Sequence, residues 1–126
     1  MNKNSSTTRS DGAAFEEIAL RYLLGRGYRL IRKNFRLGRL GEIDLVMRDG
    51  DIYVFIEVKG RRTHQFGMPE DAVTIAKRRQ IMKVARGFIH INALSDYEAR
   101  FDVVAIDYAT GVGGEAEIRH HIDAFR

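Results

Sequence analysis

The chain predicts a mixed α/β fold of order αβββαβ with a further edge strand, in which helices flank a mixed sheet. Three observations carry this. Two alternating apolar runs, 41–48 and 51–59, flank an Asp49-Gly50 pair and read as a β-hairpin. Before them, Phe15, Ile18, Ala19, Tyr22 and Leu23 follow the spacing of an amphipathic helix. After them, a second helical pattern separates the hairpin from a β-branched run at 101–107, which suits a right-handed parallel crossover.

Length sets one domain: 126 residues with 44% hydrophobic content and a single proline fit one compact core. The polar, aperiodic start predicts a disordered tail over 1–11, leaving 12–126 as the folded domain. No apolar run approaches the roughly 20 residues that span a bilayer, and the N-terminus lacks a signal-peptide core. We therefore expect a cytoplasmic protein without a membrane partner. The absence of cysteine excludes disulfides, thiolate metal sites and a cysteine nucleophile. Lys and Arg exceed Asp and Glu by 21 to 17, for a net +4, which is weak evidence by itself for a nucleic-acid partner.

Asp11 is placed to cap the first helix, and Gly25 and Gly27 to end it. Glu16 and Glu17 suit the positive end of its dipole, and Glu16 could also reach over the apolar face towards the sheet. Tyr28–Phe35 reads as the first strand, feeding a basic glycine-rich loop, 36–41, and then the hairpin. Residues 60–67 read as a mobile loop. Pro69-Glu70-Asp71 supplies start signals for a second helix of about twenty residues. Its apolar side holds Val73, Ala76, Ile81, Val84, Ala85 and Phe88, and Lys77, Arg78, Arg79, Lys83 and Arg86 make it basic. A strand at 101–107 follows a connection at 92–99, and 115–121 forms a last edge strand that exposes His120 and His121.

The hairpin carries the chemistry. With Asp49 and Gly50 as the loop, cross-strand partners sum to 99 in residue number, and Ile43, Leu45 and Met47 share one apolar face. On the other face Asp44 and Glu57 are diagonal neighbours, roughly 7–8 Å apart, with Lys59 next along the strand. The same register sets Glu42 opposite Glu57, a like-charge contact that a bound cation would relieve. A salt bridge through Lys59, or a Glu42 splayed into solvent, would relieve it equally.

Other chemistries find no footing. There is no phosphate-binding P-loop, Gly25-Arg26-Gly27 meets Leu30 where a dinucleotide fingerprint needs glycine, and no Gly-x-Ser-x-Gly elbow exists. The four histidines lack zinc-ligand spacing.

Gly41-Glu42-Ile43-Asp44 and Phe55-Ile56-Glu57-Val58-Lys59 resemble the YraN family of uncharacterised bacterial proteins. Gly12, Glu16 and Ala19 in the first helix, Gly27-Tyr28, Asn34, Arg61 or Arg62, Lys77 and Arg100–Val104 extend the resemblance along the chain past residue 11. By its motif that family is similar to the PD-(D/E)xK nucleases, archaeal Holliday-junction resolvases in particular. The resemblance implies a restriction-endonuclease-like fold, with Asp44 and Glu57 as metal-ligand acids, Lys59 as the motif lysine and Glu16 as a helix-borne acid. It departs from the superfamily in having Ile43 where the nominal proline stands, and it assigns no role to Gln80.

The implied activity is Mg²⁺- or Mn²⁺-dependent hydrolysis of DNA phosphodiesters, ahead of RNA, with branched DNA a candidate substrate. Arg36, Arg39, Arg61, Arg62, Lys77 and Arg78 would contact phosphates. Junction resolvases act as symmetric dimers, so a homodimer is raised as well. Two rivals keep the fold: a catalytically inactive nucleic-acid-binding or protein-docking module, and a purely structural role for the Asp44–Glu57–Lys59 ion network.

Overall fold

A computed structural model describes residues 9–126. The elements run α1 (Arg9–Gly25), β1 (Arg29–Leu37), β2 (Gly41–Asp49), β3 (Ile52–Arg61), a 3-10 turn (Pro69–Ala72), α2 (Ile75–Ile91), β4 (Glu98–Asp107) and β5 (Glu117–Phe125). The five strands form one sheet in sequence order, antiparallel except for β3 and β4, which pair in parallel across the α2 crossover. This is the mixed, helix-flanked sheet that the sequence predicts.

Each helix covers one side. The α1 residues Phe15, Ala19, Leu20 and Leu23 pack on Leu45, Met47, Val54, Ile56, Val104 and Ile106. The α2 residues Ile81, Val84, Ala85 and Phe88 pack on Phe35, Val46, Phe55 and Val103. Alternation along β2 and β3 therefore feeds two cores, because both faces of the central strands are buried.

Several boundaries differ from expectation. Most of the expected tail lies outside the described residues, but Arg9–Asp11 are helical. Asp11 sits inside the first turn instead of capping it, where its carboxylate accepts from Arg62 Nε at 2.8 Å. Pro69 opens only the short 3-10 turn; α2 begins later, with the Thr74 side chain accepting from Lys77 N–H at 3.3 Å. Ala76 is exposed. Strand β4 starts at Glu98 and β5 runs on to Phe125, since each finds a partner along the length of its neighbour.

The hairpin register also needs correction. Asp49 pairs with Ile52, so the loop is Gly50-Asp51 and partners such as Leu45↔Ile56 sum to 101. Gly50 has φ +61° and Asp51 is not in that region, as a two-residue turn with glycine first requires. The slip of two preserves each residue's face and moves Glu42 away from Glu57. Glu42 instead pairs with Arg36 on β1 at 3.5 Å, so the predicted like-charge contact does not exist. Ile43 joins Phe35 and Val46 on the α2 side, not Leu45 and Met47, so alternation breaks at Asp44. Pairings Lys33↔Leu45 and Phe35↔Ile43 set Asn34 across from that break, and Asn34 adopts φ +51°.

Candidate active site

Asp44 and Glu57 meet where β2 and β3 stop pairing. The last recorded pair is Leu45↔Ile56; beyond it, Val58 N–H donates to Asp44 Oδ2 at 2.8 Å. The side chain thus takes the place of a backbone acceptor, which ties Asp44 directly to the strand that carries Glu57. Glu57 continues the Tyr53–Phe55 face, which α2 covers, and only 4% of it is exposed. The site therefore lies at the sheet end, where the first turns of both helices approach.

Two ammonium groups stand against Glu57: Lys59 Nζ and Lys77 Nζ each lie 3.6 Å from its Oε2. Lys77, expected at a phosphate contact, is thus inside the site. Glu16 of α1 lines the same cleft of about 290 Å³, together with Glu42, Asp44, Glu57 and both lysines. Its Oε1 accepts from Asn34 Nδ2 at 2.9 Å, so the left-handed residue opposite Asp44 is also the one that holds Glu16. Gly60 lets α1 come this close: a Cβ there would meet the Phe15 ring at 2.5 Å.

Electrostatics mark the acids. Burial pushes the Asp44 carboxyl up to about 8; the Glu57 charge adds to this, the Val58 N–H opposes it, and Glu16 raises it further. Glu57 is raised by burial too, against the opposing pull of Lys77 and then Lys59. Two carboxyls held against each other in a desolvated cleft resist ionising together.

The remaining predicted contacts divide. Arg36, Arg39 and Arg78 are exposed, the last with Nε on the Val73 carbonyl at 3.1 Å. Arg62 is half-exposed, held by Asp11 and lying over the Phe15 and Tyr108 rings. Arg61 does not reach the surface. It is 4% exposed, pairs with buried Asp107 at 2.8 Å and donates to two loop carbonyls, so it cannot make the predicted phosphate contact. Gln80 lies outside the site: its Nε2 donates to the Leu40 carbonyl at 2.6 Å and packs on Gly41. His120 is not an exposed edge residue either; it is bonded to fully buried Asp102 at 2.8 Å and set edge-on to Tyr22 and Tyr28.

The model of the uncharacterised protein family UPF0102 matches residues 15–106. The chain belongs to UPF0102. This is the YraN family that the hairpin motif resembles. Among relatives, the UPF0102 protein of Natranaerobius thermophilus is 42% identical over 118 residues, covering 93% of this chain and 98% of that one. The UPF0102 protein of Geotalea uraniireducens is 42% identical over 127 residues, covering 98% and 95%. The Geobacter sulfurreducens member is 48% identical over 95 residues, covering 75% and 73%. Among solved structures, SfsA of Pyrococcus furiosus in complex with Ca²⁺ aligns at TM-score 0.34 and 14% identity, covering 90% of this chain and 63% of that chain. A likeness that slight carries no argument.

The matched span of the UPF0102 chain contains every cleft residue from Glu16 to Lys77 and stops before β5. Its donor set fits a hard divalent cation. Asp44 and Glu57 offer two carboxylates whose mutual repulsion a cation would relieve, and Mg²⁺ is commonly held by one or two carboxylates with water completing the shell. Among the described residues no group of three or more His, Asp or Glu is placed to hold a metal ion, so the candidate side-chain donors are the two carboxylates alone. No described helix is long and apolar enough to cross a membrane.

Proposed function

We propose that this UPF0102 protein is a Mg²⁺- or Mn²⁺-dependent endonuclease of the PD-(D/E)xK type that hydrolyses DNA phosphodiesters. The observation that supports it is the desolvated Asp44–Glu57 pair flanked by the Lys59 and Lys77 ammonium groups. Asp44 and Glu57 would hold the ion, with the Val58 carbonyl a further donor. When bound, such an ion supplies charge neutralisation on the phosphate and a water of lowered pKa.

The chain's own groups supply the rest. Lys59 orients the attacking water or balances charge that develops on the phosphate as the P–O bond to the leaving group breaks. Lys77 brings a second ammonium to the same edge of the cleft. Glu16, held by Asn34, supplies an outer acceptor for ordered water. Exposed Arg36, Arg39, Arg62 and Arg78 contact backbone phosphates, giving salt-dependent affinity without sequence readout. DNA over RNA, branched DNA and a symmetric homodimer belong to the same proposal and rest on the resemblance to junction resolvases; a cytoplasmic setting is proposed beside them, with no described helix long and apolar enough to cross a membrane.

The test is cleavage of duplex, flap and four-way-junction DNA with Mg²⁺ or Mn²⁺. Wild-type protein should cut at least one of them. Asp44→Asn and Lys59→Ala should abolish cutting while keeping a cooperative melt. A protein that cuts none of these substrates under either metal contradicts the proposal.

One observation favours a second reading, a binding module without turnover. Two ammonium groups already face Glu57, so the site carries its own counter-charge without an added cation. Under that reading DNA binding survives chelation and Asp44→Asn alike.

A further inference from the structure

Phe66 is the most exposed large apolar side chain among the described residues, at 107% relative exposure. Its backbone is nonetheless held. Arg61 Nη1 donates to the carbonyls on either side of it, Gln65 at 3.2 Å and Gly67 at 2.7 Å. Arg61 is itself buried and fixed by Asp107. Beyond Gly67, which turns the chain at φ +79°, Met68 N–H donates to Asp71 Oδ2 at 2.9 Å. The loop expected to be mobile is thus pinned on both sides of a ring that touches water.

The loop's charge and place narrow what that ring meets. Arg62 and His64 are exposed in this loop, whereas Arg61 is buried against Asp107, and Glu70 and Asp71 follow the loop directly. Arg61 follows Lys59 by two residues, roughly 6–7 Å along β3. Arg62 is tied to Asp11, whose neighbour Gly12 lines the Asp44–Glu57 cleft. A polyanion with its backbone in that cleft would pass the loop. A protein-docking surface draws on a contiguous apolar patch, whereas the other exposed apolar side chain of this loop, Met68, turns its sulfur to the Arg61 and Arg119 guanidinium groups.

We propose that Phe66 is a base-stacking residue that takes an unpaired nucleobase of a nucleic-acid strand whose backbone lies in the Asp44–Glu57 cleft. This rests on the nuclease reading of that cleft. A flat ring needs an open base face, which paired DNA offers only at ends, branches and single-stranded stretches. Phe66 would therefore favour discontinuities in a duplex, and Arg62 beside it would add to the sequence-independent part of the affinity.

The chain has no tryptophan, so Phe66→Trp creates a single fluorescent reporter at the loop tip. In low-salt buffer, with and without Ca²⁺, single-stranded oligonucleotides and a four-way junction should quench it strongly. A duplex closed at both ends by hairpins should quench it little. Ile91→Trp is the control, at the far end of α2 about 21 Å from Lys77, and should not respond. Phe66→Ala should bind the unpaired substrates about tenfold more weakly, bind the closed duplex as wild type does and melt unchanged. If wild type binds and cuts while the Phe66→Trp reporter stays unquenched and Phe66→Ala binds normally, the stacking role is wrong and the nuclease reading stands. If wild type neither binds nor cuts, both are wrong.

Discussion

Asn34 has the least visible signal in the sequence and one of the largest geometric effects on the site. It occupies the left-handed region within a strand, sits across from Asp44 and donates to Glu16. Asparagine tolerates that conformation better than most residues, whereas a bulky apolar one does not. Asn34→Gly should leave the fold intact but weaken Mn²⁺ binding several-fold by releasing Glu16. Asn34→Leu should also cost about 1–3 kcal/mol of stability; denaturant melts with a metal titration separate the two effects. Asp44, Glu57 and Lys59 were legible because alternation puts them in one hairpin. Arg61 was not placed correctly, because its partner lies 46 positions away; the Lys77–Glu57 contact, across 20 positions, was equally invisible, since no local pattern reports such pairs.

At the scale of elements, the strands and both helices follow from apolar period and turn chemistry. The register did not, because Asp-Gly can end a strand either way. Asp49 stays in the ladder and Gly50 alone supplies the positive φ. The slip happened to be by two, which kept Asp44 and Glu57 at one site; a slip of one would have separated them. Close packing of α1 on β3 depends on Gly60. Gly60→Ala drives a methyl into the Phe15 ring and should cost about 1–3 kcal/mol in a denaturant melt. The loop after β3 depends on Arg61, which shares Asp107, at 0% exposure, with Arg119. Arg61→Ala leaves that carboxylate to Arg119 and removes the donor to two loop carbonyls, so it should lose about 1–3 kcal/mol, read as a lower denaturation midpoint. A loss below about 1 kcal/mol would mean the buried pair does not anchor that loop.

For the whole molecule, opposing carboxylates shape stability against pH. Arg119 holds Glu70 at about 2, and Arg61 and Arg119 outweigh burial to keep Asp107 below the usual range. Lowered values give stability that is present above about 4.5 and lost as pH falls towards 2. Asp44 and Glu57 run the other way: folding raises their proton affinity, so stability falls as pH climbs from near 4 towards 8. Metal-free protein should therefore be most stable near pH ~5, losing up to about 1.4 kcal/mol per pH unit for each differential proton above it. Asp44→Asn should flatten that decline, which thermal melts from about pH 3 to 9 would show. A divalent cation must displace the same protons. The decisive measurement is calorimetric titration of Mn²⁺ onto wild type and Asp44→Asn at neutral pH in buffers of different ionisation enthalpy. The account predicts that wild type binds Mn²⁺ with release of protons and gains stability on binding, whereas Asp44→Asn does neither. Equal Mn²⁺ binding by the two proteins, or none by wild type, would contradict it.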